Sequence, residues 1–89
     1  MLSEKDLKIK NKLGLHARAA AQLVKTANRF SSEVTVTKDR NIANGKSIMG
    51  VLTLAATCGS TVKVRCEGGD AQDAMLAIEQ LIDTKFGEE

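Results

Sequence analysis

His16 and Arg18, two residues apart in Gly14-Leu15-His16-Ala17-Arg18-Ala19-Ala20, are the pair in this sequence whose side chains could carry chemistry together. His16 is the sole histidine of the 89 residues. The helical pattern begins there, yet histidine is not one of the strong N-capping types. The first N–H groups of a helix have no partner within it, and the helix dipole favours negative charge at that end. The amides of Ala17 and Arg18 are thus free to receive an anion, and the Arg18 guanidinium can bond a phosphate through two parallel N–H groups. An imidazole nucleophile beside an anion site is what transient phosphoryl attachment to nitrogen requires. Residue type and spacing leave a plainer reading open, in which His16 and Arg18 are solvated surface groups and Gly14 eases a turn.

Ser47 is the second group of interest. It follows Asn44-Gly45-Lys46 and opens a helical stretch, so it reads as an N-cap. Gly45-Lys46-Ser47 also resembles the end of a P-loop, but position 40 is Arg where that loop needs glycine, which excludes a nucleotide site. Cys58 and Cys66 lie outside any C-x-x-C spacing, and one histidine cannot complete a usual zinc set. Both cysteines are expected to be small apolar fillers, and neither a metal nor a cofactor is expected.

These residues must be positioned by short elements. Residues 6–10 alternate, with Leu7 and Ile9 on one face, as in a half-buried strand. From His16, Ala20, Leu23, Val24, Ala27 and Phe30 fall on one helical face, and the element is expected to end near Phe30 to Ser32. Residues 33–37 alternate and are rich in β-branched types, and Ile42 marks a short return strand. A second helix follows Ser47, with Ile48, Val51, Leu52 and Ala55 in register. A fourth strand has Val62, Val64 and Cys66 inward. A last helix buries Ala74, Ala77, Ile78, Leu81 and Ile82, with Asp70 able to cap it and Gly87 suited to its stop. The order β-α-β-β-α-β-α predicts an α+β open-faced β-sandwich, a four-stranded antiparallel sheet with three helices on one face. Residues 1–89 are expected to form a single domain.

Composition narrows the partners. The formal charge is +2, with Lys and Arg interspersed among Asp and Glu, and Phe30 and Phe86 are the two aromatic residues. That offers neither a basic stripe nor a stacking platform, so no nucleic-acid partner is expected. No run of about 18 apolar residues exists to span a bilayer, and Met1 to Asp6 lacks the apolar stretch of a signal peptide. A cytoplasmic, reducing location without a membrane partner is expected.

Across nearly its whole length the sequence resembles the HPr family, the histidine-containing phosphocarriers of the bacterial phosphoenolpyruvate-dependent phosphotransferase system. Asn11 to Ala20 resembles the family's active-site turn, and Gly45-Lys46-Ser47-Ile48-Met49-Gly50 its regulatory-serine segment. The resemblance implies that His16 is phosphorylated on Nδ1 (a pros-phosphohistidine) by enzyme I, itself charged from phosphoenolpyruvate. It implies that Arg18 contacts the phosphoryl group, and that downstream phosphotransferase acceptor domains receive it. Ser47 matches the serine that an HPr kinase/phosphorylase modifies, a step that can address a transcription regulator. Ile48, Met49, Val51 and Leu52 match an apolar landing surface for partners, with Met49 expected to be the most exposed and at least one of the others expected in the core. The protein is then a covalent carrier and not a turnover enzyme, and transient docking favours a monomer.

One position separates branches of the family. Many members carry proline after the arginine, where this chain has Ala19. The His-Ala-Arg-Ala-Ala form resembles the nitrogen-related paralogue, whereas Gly-Lys-Ser-Ile-Met-Gly resembles kinase-regulated HPr. The alternative reading is therefore a regulatory paralogue, of the nitrogen-related branch or of catabolite control, acting through phosphorylation-dependent protein binding.

Overall fold

Alternating apolar residues at Val62, Val64 and Cys66 require a strand with one dry face, and this strand lies inside the sheet. The computed structural model describes residues 1–88. Strand β1 (Leu2–Lys8) pairs antiparallel with β4 (Thr61–Glu67), which pairs in turn with β2 (Glu33–Lys38), and β3 (Asn41–Asn44) closes the order β1-β4-β2-β3. Val62, Val64 and Cys66 are fully buried, while Thr61, Lys63, Arg65 and Glu67 between them are exposed. The sheet therefore has one apolar face and one solvated face, as expected for an antiparallel sheet covered on one side.

Three helices form the cover. Helix α1 (Ala17–Ala27) buries Ala19, Ala20, Leu23, Val24 and Ala27. Helix α3 (Ala71–Asp83) buries Ala71, Ala74, Met75, Ile78 and Ile82 and packs on β1 and β4. The short α2 (Ile48–Thr53) packs on α1 and buries Val51. Alanines at the contact faces let the helices approach closely, and Leu, Ile and Val fill a core that contains one large aromatic, Phe86. The open-faced α+β sandwich expected from the sequence is the fold observed.

The boundaries differ at four places. β1 begins at Leu2 and ends at Lys8: Ser3 to Asp6 are polar, yet their backbone pairs with β4 and Lys5 reaches Glu79 of α3 (2.9 Å). Ile9 lies just beyond the strand, still buried, and exchanges backbone hydrogen bonds with Gly59 and Ser60 (2.8 Å each). α1 stops at Ala27, since Arg29 and Phe30 donate to carbonyls three residues back and tighten the chain into a turn. In α2 the buried residue near the end is Leu54, whereas Ala55 is exposed with φ of 50°. Cys66 is the apolar filler expected, but Cys58 is exposed on the turn before β4.

Asp70 stands at the N-terminus of α3 but makes no side-chain cap. Its carboxylate instead accepts from the Ser31 and Ser32 amides (2.9 Å each) and from the Ser32 hydroxyl. The two turns are in close contact: a Cβ on Gly68, whose φ is 151°, would lie 2.6 Å from Ser32 Oγ.

Candidate functional site

The turn before α1 is fixed by backbone geometry that only glycine adopts easily. Gly14 has φ of 68°, and a Cβ there would collide with the Ala56 carbonyl. Its N–H bonds the Asn11 carbonyl (3.1 Å), and its own carbonyl accepts from Asn11 Nδ2 (2.6 Å). Leu15 is buried and its N–H donates to Ala56 (2.9 Å). The chain thus reaches His16 along a path braced on both sides.

His16 is the N-cap of α1, with extended backbone (φ −75°, ψ 178°) and no side-chain cap. Its carbonyl accepts the first helical bond, from Ala20 (2.8 Å). The preceding amides, including those of Ala17 and Arg18, have no acceptor within the helix, and Ala17 and Arg18 are both exposed. Among the described residues no acidic side chain occupies the first turn of α1. His16, Ala17 and Arg18 therefore stand together at the N-terminal end of α1, with Arg18 exposed.

A further residue comes to this site from the far end of the chain. After α3 the backbone makes a left-handed turn, with positive φ at Lys85, Phe86 and Gly87. The turn drives Phe86 into the core, where it is 2% exposed, and carries Glu88 across to His16. Glu88 Oε2 contacts His16 Nε2, and Oε1 accepts from Asn11 Nδ2 (3.1 Å). These hydrogen bonds, from His16 first and Asn11 second, hold the Glu88 carboxyl below the usual carboxylate range. Asn11 is fully buried and its Oδ1 has no protein partner among the described residues. Lys12, Leu13, Arg18, Gln22, Phe86 and Glu88 line a shallow concavity between the start of α1 and the segment after α3. No local pattern marked Glu88, since its approach depends on the turn after α3.

Ser47 is half-buried at the start of α2, and its hydroxyl accepts the Gly50 N–H (3.1 Å), so it is an N-cap as expected. Lys46 reaches back to the Phe30 carbonyl (2.8 Å) and ties this turn to the end of α1. Of the four apolar residues expected on a landing surface, Met49 is 74% exposed, Ile48 is exposed and Leu52 is half-buried. Val51 is a correction: it is fully buried in the core and cannot meet a partner, because its position in α2 faces inward. Leu13 is 66% exposed, an apolar neighbour of the histidine turn that the helical pattern did not single out.

Among the described residues no three His, Cys, Asp or Glu side chains gather into a metal-holding group. No helix of the described residues is long and apolar enough to cross a membrane. Burial, and after it the nearby charge of Asp70, pushes the Cys66 thiol up.

Comparison with known proteins identifies the family. Residues 3–84 match the family described as PTS HPr component phosphorylation site. The chain is 47% identical over 85 residues to the phosphocarrier protein HPr of Neisseria meningitidis serogroup A, covering 96% of each chain. It is 41% identical to the phosphocarrier protein NPr of Shewanella violacea, covering 96% of this chain and 93% of that one. Among solved structures, HPr-C-His from Thermoanaerobacter tengcongensis superposes with a TM-score of 0.94 at 49% identity, covering 98% of both chains. The chain, with its histidine at the open end of α1, belongs to the HPr component family of the phosphotransferase system.

Proposed function

We propose that this protein is a phosphocarrier of the phosphotransferase system, taking a phosphoryl group from enzyme I onto Nδ1 of His16 and passing it to downstream acceptor domains. The observation that carries the reading is the placement of His16 as the uncapped N-cap of α1, with the open amides of Ala17 and Arg18 in the same turn. Because Glu88 engages Nε2, the other ring nitrogen is left for the incoming phosphorus. In the transfer the Nδ1 lone pair forms the new N–P bond while the bond from phosphorus to the donor breaks, its electron pair leaving with the donor. The phosphoryl oxygens then face the helix end, whose dipole and N–H groups stabilise their charge, and Arg18 adds a guanidinium. The protein carries the group and turns over nothing by itself.

Ser47 supplies a second modification site in this reading. A phosphate there adds about −1.5 to −2 charge at the start of α2, beside exposed Ile48 and Met49, and alters docking without refolding the domain. A cytoplasmic location follows from the reading, since phosphoenolpyruvate and ATP are the phosphoryl sources. NPr shares 41% identity, against 47% for the Neisseria HPr, which favours the HPr branch over the nitrogen-related one despite Ala19.

The test is incubation with phosphoenolpyruvate and a cognate enzyme I. Acid-labile phosphate on the wild type and none on His16→Ala is the expected result. No label on the wild type, or equal label on the variant, rejects the proposal.

A further inference from the structure

Glu88 meets His16 on the ring nitrogen opposite the one proposed to react. The contact is a built arrangement rather than a stray tail. The left-handed turn over Lys85, Phe86 and Gly87 is anchored by Phe86 in the core. Backbone bonds from Gly87 to Thr84 (3.0 Å) and from Glu88 to Lys85 (2.9 Å) close it. Both carboxylate oxygens are used: Oε2 on His16 and Oε1 on the amide of Asn11, which is fully buried and itself bound to the Gly14 carbonyl. Asn11 is therefore a brace shared by the histidine turn and the segment after α3.

We infer that Glu88 is a positioning residue for phosphoryl transfer: its carboxylate accepts the Nε2–H of His16 and so holds the ring with its Nδ1 lone pair toward the open end of α1. The inference rests on the carrier reading above for the identity of the attacking nitrogen. Its chemistry is that of a carboxylate orienting an imidazole, where the hydrogen bond at one nitrogen decides what the other does. When Nδ1 forms its bond to phosphorus, the donor's bond to phosphorus breaks and the donor leaves with that electron pair. The Nε2 proton stays in place, so the ring gains positive charge, and the Glu88 carboxylate lies against that charge. A phosphoryl group on Nδ1 is thereby held by a ring that cannot rotate freely.

Two measurements test this with Glu88→Ala and Glu88→Gln. In proton spectra of the 15N-labelled protein, wild type should show the His16 Nε2–H resonance protected from exchange with water. Glu88→Ala should lose it, and Glu88→Gln, whose amide oxygen still accepts, should retain it. In labelling by phosphoenolpyruvate and enzyme I, Glu88→Ala should lower kcat about tenfold with little change in KM for the carrier, and Glu88→Gln should fall between. Equal protection in wild type and Glu88→Ala overturns the inference. So does a rise in KM at constant kcat, which marks a docking residue, or faster labelling of Glu88→Ala, which marks a carboxylate that blocks the site. Failure of the wild type to label rejects the carrier reading instead, and the Nε2–H resonance still decides whether Glu88 holds the ring.

Discussion

Asp70 and Ser32 join two turns that are far apart in sequence, the Asp70 carboxylate accepting from both the amide and the hydroxyl of Ser32. The Ser32 hydroxyl, the Ser31 amide and the Ser32 amide together lower the Asp70 carboxyl to about 2 from an ordinary value of 3.8. A carboxylate lowered on folding stabilises the native state above its unfolded value, and that contribution fades as pH falls through the folded one. Thermal melts should therefore show the wild-type midpoint falling between about pH 4 and pH 2. Asp70→Asn should melt lower at neutral pH and change less across that window. Parallel curves for the two proteins would contradict the assignment.

Gly14 is the backbone position on which the histidine turn depends. Gly14→Ala places a methyl group against the Ala56 carbonyl at a φ of 68°, and should destabilise the protein by roughly 1–3 kcal/mol in denaturant titrations. Relief of the contact by a shift of the turn would move Leu15 and His16, the next two residues. The variant that folds should also label more slowly with enzyme I than wild type at equal folded concentration.

Arg18 is exposed and makes no side-chain contact that the fold needs among the described residues. Arg18→Ala should leave the unfolding free energy within about 0.5 kcal/mol of wild type in denaturant titrations. Its phosphoryl acceptance should fall about 10²-fold, the scale of removing one charge-stabilising donor. Arg18→Lys should recover part of the rate, since it restores charge without the two-pronged geometry. An unchanged rate in Arg18→Ala would remove Arg18 from the site.

Ser47 caps α2 through the Gly50 amide. Ser47→Ala should cost about 1 kcal/mol, measured by denaturant unfolding, because that N–H loses its acceptor. Ser47→Asp retains a capping oxygen and should recover most of the loss. With an HPr kinase and ATP, label should appear on wild type and be absent from Ser47→Ala, while His16→Ala labels normally.

The residues that could be read in advance are those whose environment repeats locally. Val62, Val64 and Cys66 alternate with charged residues, and the strand falls where they do. Leu23, Val24 and Ala27 recur at helical spacing, whereas the helix starts at His16 because the backbone before it leaves the helical region, with φ of 68° at Gly14. β1 is harder to bound from sequence because its inner face carries polar Ser3 and Lys5 before the buried Leu7, so no apolar alternation marks its first half. Asp70 reads as a cap in the sequence because capping chemistry is local, whereas its partners Ser31 and Ser32 arrive through the fold of β2 against β4. Glu88 shows the same limit more sharply. Nothing near it in sequence says that Phe86 will be buried, and without that anchor it has no reason to meet His16.

The register of β1 on β4, with Leu2 opposite Glu67 and Leu7 opposite Val62, has a consequence for how the chain is made. On the ribosome β1 emerges long before its neighbouring strand β4 exists, and it must wait unpaired while most of the domain is synthesised. Pairings between distant segments are slow to close, and a waiting strand is exposed to wrong partners. The charges of Glu4, Lys5, Asp6 and Lys8 discourage edge-to-edge association during that interval. The polarity that blurs β1 as a strand is thus what keeps the nascent segment available for β4.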